Sequence, residues 1–283
     1  MKIKFSKMQG TGNDYVYINS FEQEIAYPSE LAKTVSDRHF GIGSDGLILV
    51  APSEKADVRM IMFNADGSEG KMCGNGIRCV AKYAYEHGIT EKKHMEIETA
   101  SGIKTVDLTV NEQGSVEEVS VNMGKAVLKP EQIPMTAGGE SFIGKELTVA
   151  GKTYTATCVS MGNPHCVIFT TGIDDMDLEK IGPFFENHPM FPEQVNTEFV
   201  EILDSRHYKM RVFERGSGET MSCGTGTCAV AVAAVLNGYA GYGEELTIRI
   251  RGGALKDTYY EDGTVIMKGR AVHVFDGEIE YMD

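Results

Sequence analysis

The longest apolar run in the chain, Ala229 to Leu236, is far too short to cross a bilayer, which takes about 20 residues. The opening MKIKFSKMQGTG lacks the apolar segment of about 7–15 residues that a secretory signal requires. These absences lead us to expect a cytoplasmic protein whose thiols stay reduced. Basic residues are also scarce. Against 41 Asp and Glu there are 27 Lys and Arg, giving a formal net charge of −14. That balance argues against nucleic acid and against anionic membranes as partners, and leaves small-molecule substrates open. Six cysteines occur without the paired C-x2–4-C spacing of zinc sites, so no metal is expected. At 283 residues the chain can bury about two cores and needs no disulfide framework.

What is present is a duplication. Phe63 to Gly88 reads FNADGSEGKMCGNGIRCVAKYAYEHG, and adding 150 to each position gives FERGSGETMSCGTGTCAVAVAAVLNG, Phe213 to Gly238. Nine of the 26 aligned pairs are identical, among them Cys73/Cys223, Gly74/Gly224, Gly76/Gly226 and Gly88/Gly238; unrelated segments would share about one or two. In the first copy Ile77, Val80, Ala81 and Ala84 fall at helical spacing, and Gly88 suits the left-handed C′ position. In the second, Cys228 to Leu236 is apolar all round, as in a helix buried on every side. Each cysteine therefore precedes a helix N-terminus. The free N–H groups and dipole there favour anions, and a thiol can titrate at about 3.5–7.5 in such a place rather than near 8.5. The glycines let backbone amides approach a ligand closely. The alternative is a small structural cysteine beside a tight turn.

The same offset relates Gly12-Asn13 to Gly162-Asn163, two turns that read as matched polar ligands or as ordinary turn chemistry. Two nucleotide-like motifs fail on context. GIGSDG (41–46) is followed by the strand-like LILV rather than by a helix. GESFIGKE (139–146) puts Glu146 where a phosphate loop needs Ser or Thr. Pro28 to Arg38 reads as a helix capped by Ser29. Alternating segments predict strands at 2–5, 15–18, 47–50, 58–63, 95–98, 105–110, 119–121, 154–159, 166–169, 198–202, 210–213, 246–250, 258–260, 265–267 and 272–275, with a further helix near 176–185. The fold class expected is α+β: two pseudo-symmetric domains, each a curved sheet or barrel wrapped around a central helix. Their bounds are set at 1–120 and 121–270, with 271–283 as a strand that could return to the first domain.

Taken in order, GTGND, MCGNGIRC, MGNPHCV, VNTEFVE and ERGSGETMSCGTG resemble the diaminopimelate epimerase family along essentially the whole chain. The resemblance implies a homodimer that converts LL-2,6-diaminopimelate to the meso form, in lysine and cell-wall precursor biosynthesis, with neither pyridoxal phosphate nor metal. It implies that Cys73 and Cys223 are the acid/base pair. Asn13, Asn64, Asn163, Asn196 and Arg215 match positions that hold the substrate. Gly74-Asn75 and Gly224-Thr225 match the donors to the reacting carboxylate, and His165 and Glu214 match residues that tune the thiols. One departure is Gly46, where many members carry glutamine, so that side-chain contact is missing or replaced.

Inverting a carbon requires a proton to leave one face and another to arrive on the opposite face, which one thiolate and one thiol can do without turning the substrate. On that scheme oxidation should join Cys73 to Cys223. The other four cysteines, Cys79, Cys158, Cys166 and Cys228, read as structural. Three competing readings remain: a cofactor-independent racemase of proline, hydroxyproline or another amino acid; a Cys–His hydrolase using His165; and a binding module without turnover.

Overall fold

The computed structural model describes residues 2–281. In chain order the elements are β1 (Lys2–Gly10), β2 (Asn13–Asn19), α1 (Pro28–Ser36), β3 (Gly46–Ala51), β4 (Val58–Asn64), β5 (Glu69–Gly70), α2 (Gly74–Glu86), β6 (His94–Thr99), β7 (Gly102–Val110) and β8 (Val116–Lys125). They continue with β9 (Lys145–Val149), β10 (Lys152–Ser160), β11 (Pro164–Phe169), α3 (Leu178–Glu186), β12 (Asn196–Ile202), β13 (His207–Glu214), β14 (Gly218–Glu219), α4 (Gly224–Leu236), β15 (Glu245–Ile250), β16 (Gly253–Tyr259), β17 (Thr264–Gly269) and β18 (Val272–Glu280). Two compact units result, Met1–Asn122 with Lys268–Asp283, and Met123–Met267. The final strand, β18, lies antiparallel to β1 and so belongs to the first unit.

Each unit is a curved sheet with one helix inside it and one outside. In the first, α2 packs against β1, β2, β3, β4, β6 and β7. Tyr17 on β2 turns inward, its hydroxyl donating to the Gly76 carbonyl at the start of α2. The alternate residues Val16 and Ile18, with Leu47 and Leu49 of β3, pack outward with Leu31, Ala32 and Val35 of α1. A strand covered on both faces must be apolar at every position, which is why LILV shows no alternation. In the second unit α4 packs against β10, β11, β12, β15 and β16, while α3 covers the outer face with Phe185 against Phe199 and Tyr154. Every residue of α4 from Gly226 to Val235 is buried, and each apolar side chain of Val or Leu size so covered contributes about 1.5–3 kcal/mol.

Strand pairing repeats the sequence offset residue by residue. Tyr15 of β2 lies beside Gly46 of β3 in a parallel pair, and His165 of β11 lies beside Asn196 of β12 in another. The antiparallel partners Leu47 and Phe63 correspond to Thr197 and Phe213. The duplication is therefore one of topology as well as of sequence.

Local chemistry fixes the ends of the elements. Gly88 and Gly238 follow α2 and α4 at φ +68° and +77°, the left-handed C′ conformation. Ser29 does not cap α1: the N-cap is Tyr27 without a side-chain bond, Pro28 opens the helix, and the Ser29 hydroxyl donates to the Gly67 carbonyl instead. β9 and the two-residue strands β5 and β14 are absent from the sequence-based expectation, the latter because two residues carry no period.

Candidate active site

In the first unit β4 ends at Asn64, a turn closed by Ser68 follows, and the chain reaches Cys73 at the N-cap of α2. The Cys73 backbone is extended, φ −133°, and its sulfur accepts the Gly76 N–H at 3.3 Å. A Cβ on Gly76 would stand 2.7 Å from Ile48 Cδ1, so a larger residue in the turn would push that side chain aside. The Cys73 thiol donates to Asn13 Oδ1 at 3.2 Å. Asn13 is held in turn, its amide donating to Asp45 Oδ2 at 2.7 Å. Asp45 also accepts from the Asp14 N–H and from Arg38, and Arg38 and Lys7 both pair with Asp14. Behind Cys73, the wholly buried Arg78 donates to the Gly74 carbonyl at 3.1 Å and to Asn75 Oδ1 at 2.9 Å. A Cβ at Gly46 would lie 2.1 Å from the Phe63 carbonyl oxygen, so this backbone leaves no room for a side chain there.

In the second unit Cys223 stands at the N-cap of α4, also extended at φ −121°, and is 5% exposed. Its surroundings differ in kind. The sulfur lies 3.5 Å from Thr225 Oγ1, which accepts from the Asn163 amide at 3.3 Å. His165 Nε2 meets Asn163 Oδ1 at 3.1 Å, and Nδ1 meets Glu198 Oε1 at 2.7 Å. Both His165 and Glu198 are fully buried. Glu214, at the end of β13, accepts a short hydrogen bond from the Thr220 hydroxyl. Donor atoms of His165, Glu198 and Cys223 all lie within 4.8 Å of one another, the constellation among the described residues that could hold a metal ion. Both ring nitrogens of His165 are already engaged by protein partners.

Burial decides the thiols. At Cys73 it pushes the thiol above its ordinary range, opposed by the Gly76 and Asn75 amides, the Arg78 charge and Tyr15. At Cys223 burial pushes it well above, with the carboxylates of Glu214 and then Glu198 adding to the rise, and Thr225 and the Gly226 amide opposing. The depressed thiol expected from the helix N-terminus is thus not found: desolvation outweighs the amides and dipole in both units. The Glu214 carboxyl is itself raised by burial, against Thr220, Cys223 and His165.

The sequence-derived residues fall into two groups. Asn13, Gly74 and Asn75 gather around Cys73, and Asn163, His165, Glu214, Gly224 and Thr225 gather around Cys223. Asn196 is 2% exposed and uses both ends of its amide on backbone, donating to the Pro164 carbonyl and accepting the Arg215 N–H. Arg215 is exposed, its guanidinium donating to the Glu193 carbonyl, and the Asn64 amide donates to Ser68. Asp45, Arg78 and Glu198 were not among the expected residues. Glu198 lies inside the VNTEFVE motif, but one strand glutamate carries no mark of its burial.

The solved structures similar to this chain include a Bacillus anthracis phenazine biosynthesis protein of the PhzF family, with a TM-score of 0.71 at 19% identity, covering 99% of this chain and 100% of that one. A hydroxyproline epimerase from Agrobacterium vitis gives a TM-score of 0.68 at 12% identity, covering 98% and 91%. At such identities the likeness is one of fold. Curated relatives are far nearer in sequence. A diaminopimelate epimerase of Acetivibrio thermocellus is 52% identical over 98% of this chain and 99% of its own. One from Desulfovibrio desulfuricans is 55% identical over 98% of each. The family model described as diaminopimelate epimerase matches residues 5–129 and 157–274, spanning both cysteine N-caps. By these matches, and with its duplicated Cys-Gly-x-Gly turns intact, the chain belongs to the diaminopimelate epimerase family.

Proposed function

We propose that this protein epimerises LL-2,6-diaminopimelate to meso-diaminopimelate, with Cys73 and Cys223 as the acid/base pair and no pyridoxal phosphate. The observation that carries the reading is the repeated cysteine N-cap, two thiols at equivalent helix starts in a member of this family. One cysteine as thiolate removes the α-proton, and the other as thiol returns a proton to the opposite face. Which one is the thiolate depends on the isomer bound. The obstacle is the weak acidity of the α-carbon, and charge developing beside the carboxylate is met by the first-turn amides of Gly74-Asn75 and Gly224-Thr225. One helix terminus supplies roughly 0.3–2 kcal/mol, so orientation and exclusion of water must provide much of the remainder. Asn13, Asn64, Asn163, Asn196 and Arg215 are assigned to holding the substrate, and Glu214 and His165 to tuning the thiols. Asn196 and Arg215 must release or share their present backbone partners to do so.

In this reading the protein works as a cytoplasmic homodimer supplying lysine and cell-wall precursors. No helix among the described residues is long and apolar enough to cross a membrane. The test is α-proton exchange in D2O with the LL and meso isomers. Wild-type enzyme should incorporate deuterium as it inverts the carbon, and Cys73→Ala and Cys223→Ala should each lose epimerisation. Near-native epimerisation by either variant would rule out a two-thiol scheme.

A further inference from the structure

Glu198 is a wholly buried carboxylate with no assigned role, and its Oε2 has no hydrogen-bond partner. A buried carboxyl with one oxygen unmet depends on the partner of the other, and the ring of His165 touches that other oxygen at 2.7 Å. His165 Nε2 faces Asn163 Oδ1, an acceptor. Both ring nitrogens therefore face acceptors, and with the Asn163 oxygen turned to it Nε2 is the donor. The remaining bonds then have a single direction. Asn163, its oxygen turned to His165, donates its amide hydrogen to Thr225 Oγ1, which leaves the Thr225 hydroxyl hydrogen free to point at the Cys223 sulfur 3.5 Å away.

We propose that Glu198 is a positioning residue for Cys223: by holding the His165 ring with Nε2 as donor it orients Asn163 and Thr225, so that the chain ends in a hydroxyl donor on the sulfur. The proposal rests on the reading of Cys223 as an acid/base residue. The titratable groups facing that sulfur are Glu214 from β13, Glu198 from β12 and His165 from β11. Glu198 is itself faced by His165, by Glu214 and by Cys166 of β11. On charge alone the loss of Glu198 would lower the Cys223 thiol and quicken its reaction, so a slower reaction of that sulfur reads the direction of the hydroxyl.

Glu198→Gln removes the carboxylate that keeps the hydrogen on His165 Nε2. The bare Nε2 then accepts from Asn163, the amide turns over, and its oxygen captures the Thr225 hydroxyl that had faced the sulfur. The experiment is iodoacetamide alkylation of the full-length enzyme at fixed pH, with initial rates read separately for the Cys73 and Cys223 peptides by mass spectrometry. In Glu198→Gln the Cys223 rate should fall about tenfold, the scale of one charge-assisted hydrogen bond, while Cys73 in the same molecules keeps its rate. Thr225→Ala should give the same loss, Thr225→Ser should not, and Glu198→Gln with Thr225→Ala should lose no more than either alone. Should Glu198→Gln fail to fold, His165→Gln breaks the chain one link on and must show the same loss, again without addition to Thr225→Ala. A Cys223 rate that rises or stays level, a parallel fall at Cys73, or additive losses would overturn the proposal. Alkylation needs no turnover, so these results stand apart from the D2O exchange that tests the epimerase reading.

Discussion

The two cysteine N-caps share a backbone and differ in what surrounds the sulfur. Where Gly76 presses on Ile48, Gly226 presses on Glu198; a Cβ there would meet Ile48 Cδ1 at 2.7 Å in one unit and Glu198 Oε1 at 2.8 Å in the other. Where Tyr15 stands near Cys73, the equivalent residue near Cys223 is His165, and where Asn64 ends β4, Glu214 ends β13. The first thiol thus sits among neutral groups and a buried arginine, the second among two carboxylates and an imidazole. The duplication preserved the helix start that builds the site and let its electrostatics diverge. On the proposed scheme the two thiols exchange roles as base and acid, and nothing in that scheme requires them to be tuned alike.

The largest break in the symmetry is Arg78, whose equivalent by offset is the small Cys228. Arg78 is fully buried and braces the first turn of α2 through Gly74 and Asn75. Arg78→Ala leaves those acceptors unmet and opens a cavity, so chemical denaturation should show a loss of about 3–5 kcal/mol. Cys228→Ala removes one sulfur from the interior of α4 and the hydrogen bond it donates to buried Asp257 at 3.4 Å, and should cost about 1–2 kcal/mol. Equal losses would mean that the two helix starts are braced alike.

Glu214→Gln makes the second unit more like the first, with its neutral Asn64. The folded protein raises the Glu214 carboxyl, because burial penalises its charge. A raised acid contributes its stability below the unfolded pKa, about 4.3, and loses it as pH rises through the folded value. Glutamine has no such loss. The variant should therefore be more stable than wild type at pH 8, by about 1 kcal/mol, with the advantage fading toward pH 4. Alkylation of Cys223 should quicken, since a carboxylate that favoured the thiol is gone. Glu198→Gln should slow the same reaction, because Glu198 also sets the direction of the Thr225 hydroxyl and Glu214 does not. Slower alkylation in both variants would erase that distinction.

Much of this was legible in the chain because it was periodic or repeated. The constant offset located both helix starts, Gly88 and Gly238 marked where those helices end, and apolar runs marked strands covered on two faces. β9 was not legible, since its first two residues, Lys145 and Glu146, close the stretch that imitates a phosphate-binding motif. Asp45, Arg78 and Glu198 escaped for a different reason. Their offset partners are Val195, Cys228 and Ile48, so the duplication gives no sign of them. Their importance comes from partners met only after folding. The elevated thiols belong to the same class, because a helix N-terminus can be read from a sequence and the depth of its burial cannot.

Asp45 provides the smallest and most local test. It holds Asn13 by the amide, which leaves the Asn13 oxygen facing the Cys73 thiol, whereas at Cys223 the corresponding asparagine turns its oxygen to His165 and its amide to Thr225. In Asp45→Asn the new side chain can offer its own amide to Asn13, freeing Asn13 to turn its NH2 toward the sulfur as a donor. The Asp45 side chain is 39% exposed, so its ion pair with Arg38 is screened and contributes little. The loss of stability should stay near 0.5–1 kcal/mol. The sulfur, however, exchanges an acceptor for a donor, so Cys73 alkylation should quicken while Cys223 keeps its rate. An unchanged Cys73 rate would mean that Asn13 is oriented by the turn alone and that Asp45 serves only the surface.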